Sequence, residues 1–308
     1  MKEFCVIVII CLILLISSEI LHTKYKPRKA HLDNVVLVVQ NMDTVIKQFR
    51  DSGFCIESMG RTRDDITSMA MITFEDGTHL ELVSPNKPET IEKITTMRND
   101  GELSEYKMKH NLDRNSERLY IDNFSSNDGL KDYAIRVKDV KTIVPLLDKV
   151  GLSYSEVKEM GYLKPNGKVV VWHVSTSNKR GMPQILSDHT PVSFRRGVLS
   201  QHDNGVKGIK RVVVAVKNLN DTVERYKRLV GERCIKPANY YVEGALTTDI
   251  IFKNTIITLA QPMLGGSDID TYVKEYTEGP YMLELVTNNK KFRKILLTGS
   301  GTRVSLIN

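Results

Sequence analysis

The chain has 308 residues, 41% of them hydrophobic and 26% charged, which suits two folded domains of ordinary size and excludes a disordered or fibrous protein. Its formal net charge is +7, spread along the chain rather than massed in one stripe. No helix-turn-helix, zinc-finger or aromatic RNA-binding signature accompanies that charge, so it reads as a solvated basic surface and nucleic acid is not expected as a partner.

Phe4 to Ile16 reads FCVIVIICLILLI without interruption, and Ile20 and Leu21 extend it weakly beyond Ser17, Ser18 and Glu19. An apolar helix is expected here. The strict run is shorter than the ~20 residues of a spanning helix and matches a signal-peptide core. Yet no A-x-A-like cleavage site follows it, and Ile10 rather than a small residue precedes Cys11. Lys2 and Glu3 cancel before the run, whereas Lys24, Lys26, Arg28 and Lys29 follow it. By the positive-inside rule, residues 1–29 then form a membrane anchor, held through residues 4–21, with the body in the cytoplasm. The alternatives are an anchored external body and a removed signal peptide.

The body repeats itself at constant offset. VVLVVQNMDTVIKQF, Val35 to Phe49, matches VVVAVKNLNDTVERY, Val212 to Tyr226. A weaker copy runs from Ala134 to Gly151, and a fourth, MLELVTNNKKFRKILL, from Met282 to Leu297. In each copy a β-branched run predicts a buried strand. A polar residue then caps a helix: Asn41, Asp139, Asn218 and Asn288. Apolar residues at helical spacing follow, as in Met42, Val45, Ile46 and Phe49. Gly53 and Gly151 stand where helices end.

After each of the first three helices come strands joined by turns at Asp76-Gly77, Asn166-Gly167 and Lys253-Asn254. The unit is strand–helix–three strands, and the fold class is α+β. Repeated βαβββ units would pair into curled mixed sheets, in two tandem domains after the N-terminal apolar helix. Asn86 to Leu130 is a polar connector in which Ile91, Ile94 and Met97 hint at a short helix. The first domain spans residues 30–190 with two units, and residues 191–208 form a linker. The second spans 209–308 with one full and one truncated unit, so it is incomplete and any ligand pocket belongs to the first.

Three strings carry a family resemblance: HLDNVVLVV from His31, FEDGTHLELVS from Phe74 and MPQILSDHTP from Met182. They resemble the glyoxalase-like domain proteins of the vicinal oxygen chelate superfamily, which includes glyoxalase I, bleomycin-resistance proteins and extradiol dioxygenases. The resemblance covers most of residues 31 to 297. It implies two units curled around a concave pocket. Superfamily members often pair, so a homodimer is expected on the same ground. The superfamily's metal enzymes place His, Gln or Glu near the start of the first strand and the end of the last. Close relatives read L-D-H-V-V and T-H-N-A-L where this chain reads L-D-N-V-V and T-S-M-A-M, so Asn34 and Ser68 replace histidines while Glu81 is kept. Lys210, Arg211 and Thr258 hold the equivalent places in the third copy, and the second offers Gln184. These are poor transition-metal ligands, so no cofactor is expected.

Glu81 and His79 lie two apart on one strand and share a face, opposite Leu80 and Leu82. That face lines the concave side, where the pair can bind a polar ligand or act as acid and base. A hydrogen-bonded pair without chemistry is the plain alternative. Arg61 and Arg63 precede the third strand and offer bidentate forks for an anion. Trp172, the sole tryptophan, is a core or pocket-wall residue. Cys55 and Cys234 stand alone in separate segments and read as reduced thiols. The expected ligand-binding set is Glu81, His79, Asn34, Arg61, Ser68 and Trp172. The expected function is membrane-associated binding of a small polar or anionic molecule without a transition metal. The alternative is a metal-dependent lyase, isomerase or dioxygenase using Glu81 with His31 or His79.

Overall fold

The computed structural model describes residues 30–61, 67–105, 128–163, 167–191, 194, 201–238, 240–289, 295–297 and 303–307. The apolar run at 4–21, and with it the expected N-terminal helix, lies outside them. No helix among the described residues is long and apolar enough to cross a membrane.

The first unit is β1 (His31–Val38), α1 (Met42–Asp51), β2 (Glu57–Arg61), β3 (Thr67–Thr73) and β4 (His79–Pro85). After α2 (Pro88–Asn99), the second unit is β5 (Gly129–Arg136), α3 (Val140–Lys149), β6 (Lys158–Leu163), β7 (Val169–Ser175) and β8 (Gln184–Asp188). The third is β9 (Val206–Ala215), α4 (Leu219–Val230), β10 (Ile235–Pro237), β11 (Ala245–Ile251) and β12 (Ile256–Pro262). The last part of the chain is α5 (Asp268–Tyr276), β13 (Gly279–Thr287), β14 (Ile295–Leu297) and β15 (Arg303–Ile307).

The strands form two curled mixed sheets. One has the order β2-β3-β4-β1-β5-β8-β7-β6 and the other β10-β11-β12-β9-β13-β15-β14. The capping residues act as their sequence positions require. Asn41 accepts from the Thr44 amide, Asp139 from Lys141 and Asn218 from Asp221, at 2.9–3.0 Å. Each such cap is worth ~1 kcal/mol. Beyond Asn288 the outcome differs: Ile295–Leu297 is a strand, where a helix was expected. Pairing with β15 satisfies its backbone groups. Val206 to Gly208, expected in a linker, already pair in β9.

The first strand of each unit carries a β-bulge, and these bulges build the site. On β1, Leu32 pairs with Ile135 and Asn34 with Ala134, so Asp33 is the extra residue. Lys131 is the extra residue on β5, Lys210 on β9 and Tyr281 on β13. A bulge re-aims neighbouring side chains, so two consecutive residues can address one face. In sequence this appears as two residues between apolar ones: L-D-N-V, L-K-D-Y, I-K-R-V.

One face of both sheets, with α1, α3 and α4, forms a single apolar cluster that includes Leu32, Val35, Leu80, Leu82, Tyr133, Tyr226, Val212 and Leu283. The two halves are therefore joined through one core. Polar contacts reinforce the junction. The Asn254 side chain bonds both the N–H (2.9 Å) and the carbonyl (3.1 Å) of Leu32. Tyr133 donates to the Gly181 carbonyl at 2.9 Å and meets the Tyr226 hydroxyl. His202 accepts from the Cys55 amide and donates to the Thr73 carbonyl.

The opposite, concave faces are partly covered from within. Ile94 and Met97 of α2 pack on Val36, Val38 and Val83. Ile269 and Tyr272 of α5 pack on Val213, Ala215 and Ala260. The connector helix expected at Ile91–Met97 thus fills one end of the concave face, because Val36, Val38 and Val83 make that end apolar and in need of cover.

Candidate functional site

Four adjacent strands of the first sheet, β4-β1-β5-β8, carry a matched polar set on the concave face. Asn34 and Asp132 each stand seven residues before their helix caps, Asn41 and Asp139. Both follow the extra residue of a bulge. Asn34 Nδ2 donates to Glu81 Oε2 at 2.8 Å, and Gln184 Nε2 donates to Asp132 Oδ2 at 3.1 Å. Each unit therefore supplies one carboxylate and one amide, with the order of the two exchanged. Asp132 is 1% exposed and Asn34 is 7% exposed, and Asn34 Oδ1 is buried with no hydrogen-bond partner.

A second polar row flanks this set. Asp33 is ion-paired with Arg136, whose Nε lies 3.3 Å from Asp188. His79 Nε2 stands 3.5 Å from Asp33. Arg136 thus holds two carboxylates, and the His79 imidazole is turned towards one of them. This neutralises charge that the buried bulge would otherwise strand.

The structure brings together three of the residues expected at the site. Asn34 and Glu81 are in contact, and His79 lies beside them on the Asp33 side. Trp172 shares the face, packed on Ala134, Val174 and Leu186, one strand away from Gln184. Ser68 does not join them. It pairs with Ser84 and alternates with Ala70 and Ile72, which face the apolar cluster, so its side chain is on the wrong side of the sheet. Met71 is the β3 residue opposite Glu81. The backbone of Arg61 ends β2 opposite Ser68, and its side chain lies outside the described residues, as does Arg63. His31 lies at the start of β1 and acts electrostatically on Asp76, at the β3–β4 turn. Three residues of strand, ~10 Å, separate it from Asn34.

Asp132 is the residue that sequence reasoning missed. Its signal was the spacing to Asp139, which equals the spacing of Asn34 to Asn41. The neighbouring Lys131 is also unusual. Its amine is buried without a hydrogen-bond partner, 4.4 Å above the Tyr276 ring. Burial, and then the like charge of Arg180, lower its pKa to about 8.

The donor set does not fit the transition metal of the superfamily's enzymes. It offers amide and carboxylate oxygens, with both carboxylates already accepting from amides, and the nearby imidazole is turned to Asp33. Among the described residues no group of three or more His, Cys, Asp or Glu is arranged to hold a metal ion. Cys55 and Cys234 are not joined in a disulfide.

The second sheet is built differently. Arg211, seven residues before its cap Asn218, extends into the concave face. Its Nε lies 3.2 Å from Glu284 and its Nη1 lies 3.0 Å from Asp249, and Nη1 also meets Thr258. The guanidinium lies over Tyr240, 4.4 Å from the ring centroid. Burial, and then its hydrogen bond to Glu284, raise the Tyr240 hydroxyl pKa.

The mixed α+β fold with two curled sheets agrees with what comparison with known proteins finds. A family model described as a glyoxalase-like domain matches residues 32–230. The chain belongs to the glyoxalase-like domain family. The match covers the whole first sheet and ends with α4. None of the curated proteins compared matches the chain. A hypothetical protein from Staphylococcus aureus has a similar structure, with a TM-score of 0.64 and 12% identity over 90% of this chain and 99% of its own. A triple mutant of 4-hydroxymandelate synthase from Streptomyces coelicolor has a TM-score of 0.52 and 13% identity, over 85% of this chain and 72% of its own. At such identity, likeness shows the vicinal oxygen chelate fold and not the chemistry.

Proposed function

We propose that this glyoxalase-like protein binds a small polar molecule on the concave face of its first sheet, through Asn34, Glu81, Asp132 and Gln184 and without a transition metal. The observation that carries the reading is Asn34 Oδ1, a buried acceptor without a partner beside the Glu81 carboxylate. Such an atom costs ~1–3 kcal/mol, and a ligand that donates a hydrogen bond removes the cost. The two carboxylates repel an anion, so the anionic ligand expected from Arg61 is set aside in favour of one rich in donors. Trp172 is the apolar wall of the same face and reports on its occupancy.

The N-terminal run, with its four following basic residues, supports anchoring through residues 4–21 with the body in the cytoplasm. Cell fractionation and protease treatment of intact cells test this. A body in the soluble fraction, or one lost from intact cells, contradicts it.

Binding is tested by thermal-shift measurement of the full chain against small amines, amides and polyols. Stabilisation that disappears in Glu81→Gln is expected. Stoichiometric zinc, nickel, manganese or iron in the purified protein, lost in Glu81→Ala, would overturn the reading in favour of a metal enzyme.

A further inference from the structure

We infer that the Lys131 amine, at the junction of the two sheets, is a modification site that takes up carbon dioxide as a carbamate. The inference does not depend on the binding reading above.

Lys131 is the extra residue of the β5 bulge, so no residue of β1 pairs with it. A bulge releases a side chain from strict strand alternation. The Lys131 amine reaches Tyr276, the last residue of α5, and stands 4.4 Å from the centroid of its ring. There it is buried and has no hydrogen-bond partner. An ammonium group carries three donors, and a buried place that leaves them unmade favours the neutral amine.

The surroundings are strained. α5 ends at Thr277, the one non-glycine residue with positive φ among the described residues (φ 64°, ψ −145°). That conformation is otherwise nearly confined to glycine, and a β-branched side chain resists it. The chain then turns at once into β13, where a Cβ on Gly279 would stand 3.8 Å from the Lys131 carbonyl. Strain of this kind persists only where the surroundings enforce it, and it gathers at functional sites. Here the strained turn directly follows the ring that covers the amine.

The charges at the junction favour an anion in place of the ammonium. Arg180 is exposed, and its positive charge opposes a second one on Lys131. Asp128 acts in the opposite sense but less strongly, and its carboxylate already accepts from the Gln40 amide. Burial, and then Arg180, bring Lys131 to a pKa of about 8. Near neutral pH about a quarter of such an amine is uncharged, against about a thousandth of an ordinary lysine. Desolvation beside another cation is what makes a lysine a nucleophile.

The neutral nitrogen gives its lone pair to the carbon of carbon dioxide. A C–N bond forms, one C–O π bond opens onto its oxygen, and the nitrogen releases a proton to water. The product, Lys131–NH–COO⁻, carries a negative charge beside Arg180 where a positive one stood. An aldehyde or ketone would leave a cationic iminium, which Arg180 opposes as it opposes the ammonium. Carbon dioxide is also small and uncharged, so it enters a covered place without the desolvation that an anion would suffer. The carbamate gives up the ring face and turns to the exposed guanidinium, whose fork matches its two oxygens.

The test is exposure of the full chain at neutral pH to isotopically labelled carbon dioxide and bicarbonate, followed by trapping with triethyloxonium and peptide mass spectrometry. A trapped carbamate is expected on Lys131, at an occupancy about 10-fold or more above that of the exposed Lys47 and Lys274. The carbamate carbon signal in NMR should vanish in Lys131→Met. Arg180→Glu, a change at an exposed residue, should lower the occupancy about 3-fold or more, because a carboxylate there favours the ammonium and repels the carbamate. No trapped carbamate on Lys131, or equal labelling of Lys131 and the exposed lysines, would overturn the inference. Undiminished labelling of Lys131 in Arg180→Glu would overturn it as well.

Discussion

Replacing Arg211 with Met removes the cation from between Asp249 and Glu284 and leaves both carboxylates buried. Their exposures of 2% and 6% leave little water to take over its role. Removing one partner of a buried ion pair costs ~3–5 kcal/mol, because the remaining charge is stranded. The side chain also lies on Tyr240, so packing and cation–π contact are lost in addition. At ~2–4 °C per kcal/mol for a protein of this size, the melting temperature should fall by about 6–20 °C. Urea and thermal melts of the full chain at neutral pH measure this. A triple variant, Arg211→Met with Asp249→Leu and Glu284→Met, should recover most of the loss, because all three desolvation costs vanish together. A single variant that melts within ~2 °C of the parent would refute the reasoning, since a buried pair of this kind would then contribute almost nothing.

Lys131 has a folded pKa of about 8 against 10.5 ordinarily, so the unfolded chain holds its proton more tightly. Its destabilising effect is complete below pH 8 and fades as the pH rises towards 10.5. Lys131→Met should therefore stabilise the protein at neutral pH and do so progressively less in alkali, as urea melts across that range will show. Burial lowers the pKa of His202, whose Nδ1 accepts from Cys55, so protonation sets one donor against another. Stability should be full above the ordinary histidine value, ~6.5, and fall as the pH drops through it towards the lower folded value. His202→Gln should flatten that part of the pH–stability curve. Gly53 has a φ of +79°, and a Cβ there would stand 2.9 Å from the Asn204 amide. Gly53→Ala should cost about 2 kcal/mol or more by denaturant titration, with an unchanged m-value.

The fold was legible because its signals are local. Asn41, Asp139 and Asn218 each announce a helix, and the valine runs before Asn41 and Asn218 announce strands packed on both faces. The concave site was less so. Asn34, Glu81 and His79 could be placed from strand alternation and resemblance, but alternation has a period of two and a bulge breaks it. The doublets Asp33-Asn34 and Lys131-Asp132 mark those bulges, and taking the second copy only from Ala134 onward left Asp132 unassigned. Ser68 was misplaced for a related reason: matching a string fixes sequence position, whereas the register with Ser84 fixes the face. Cover by α2 was illegible because a short helix with three apolar residues does not say which sheet face it will bury. The strand at Ile295–Leu297 shows the limit of periodicity in short apolar segments, where pairing with a neighbour such as β15 decides the outcome.

The most direct test of the central claim is a crystal structure of the full chain soaked with a small amine, an amide and a polyol together. The account predicts ligand density on the concave face of the first sheet, against Glu81, Asp132 and the free Asn34 oxygen, with Arg211 undisturbed in the second. Ligand density elsewhere, with that face holding only ordered water, would contradict it.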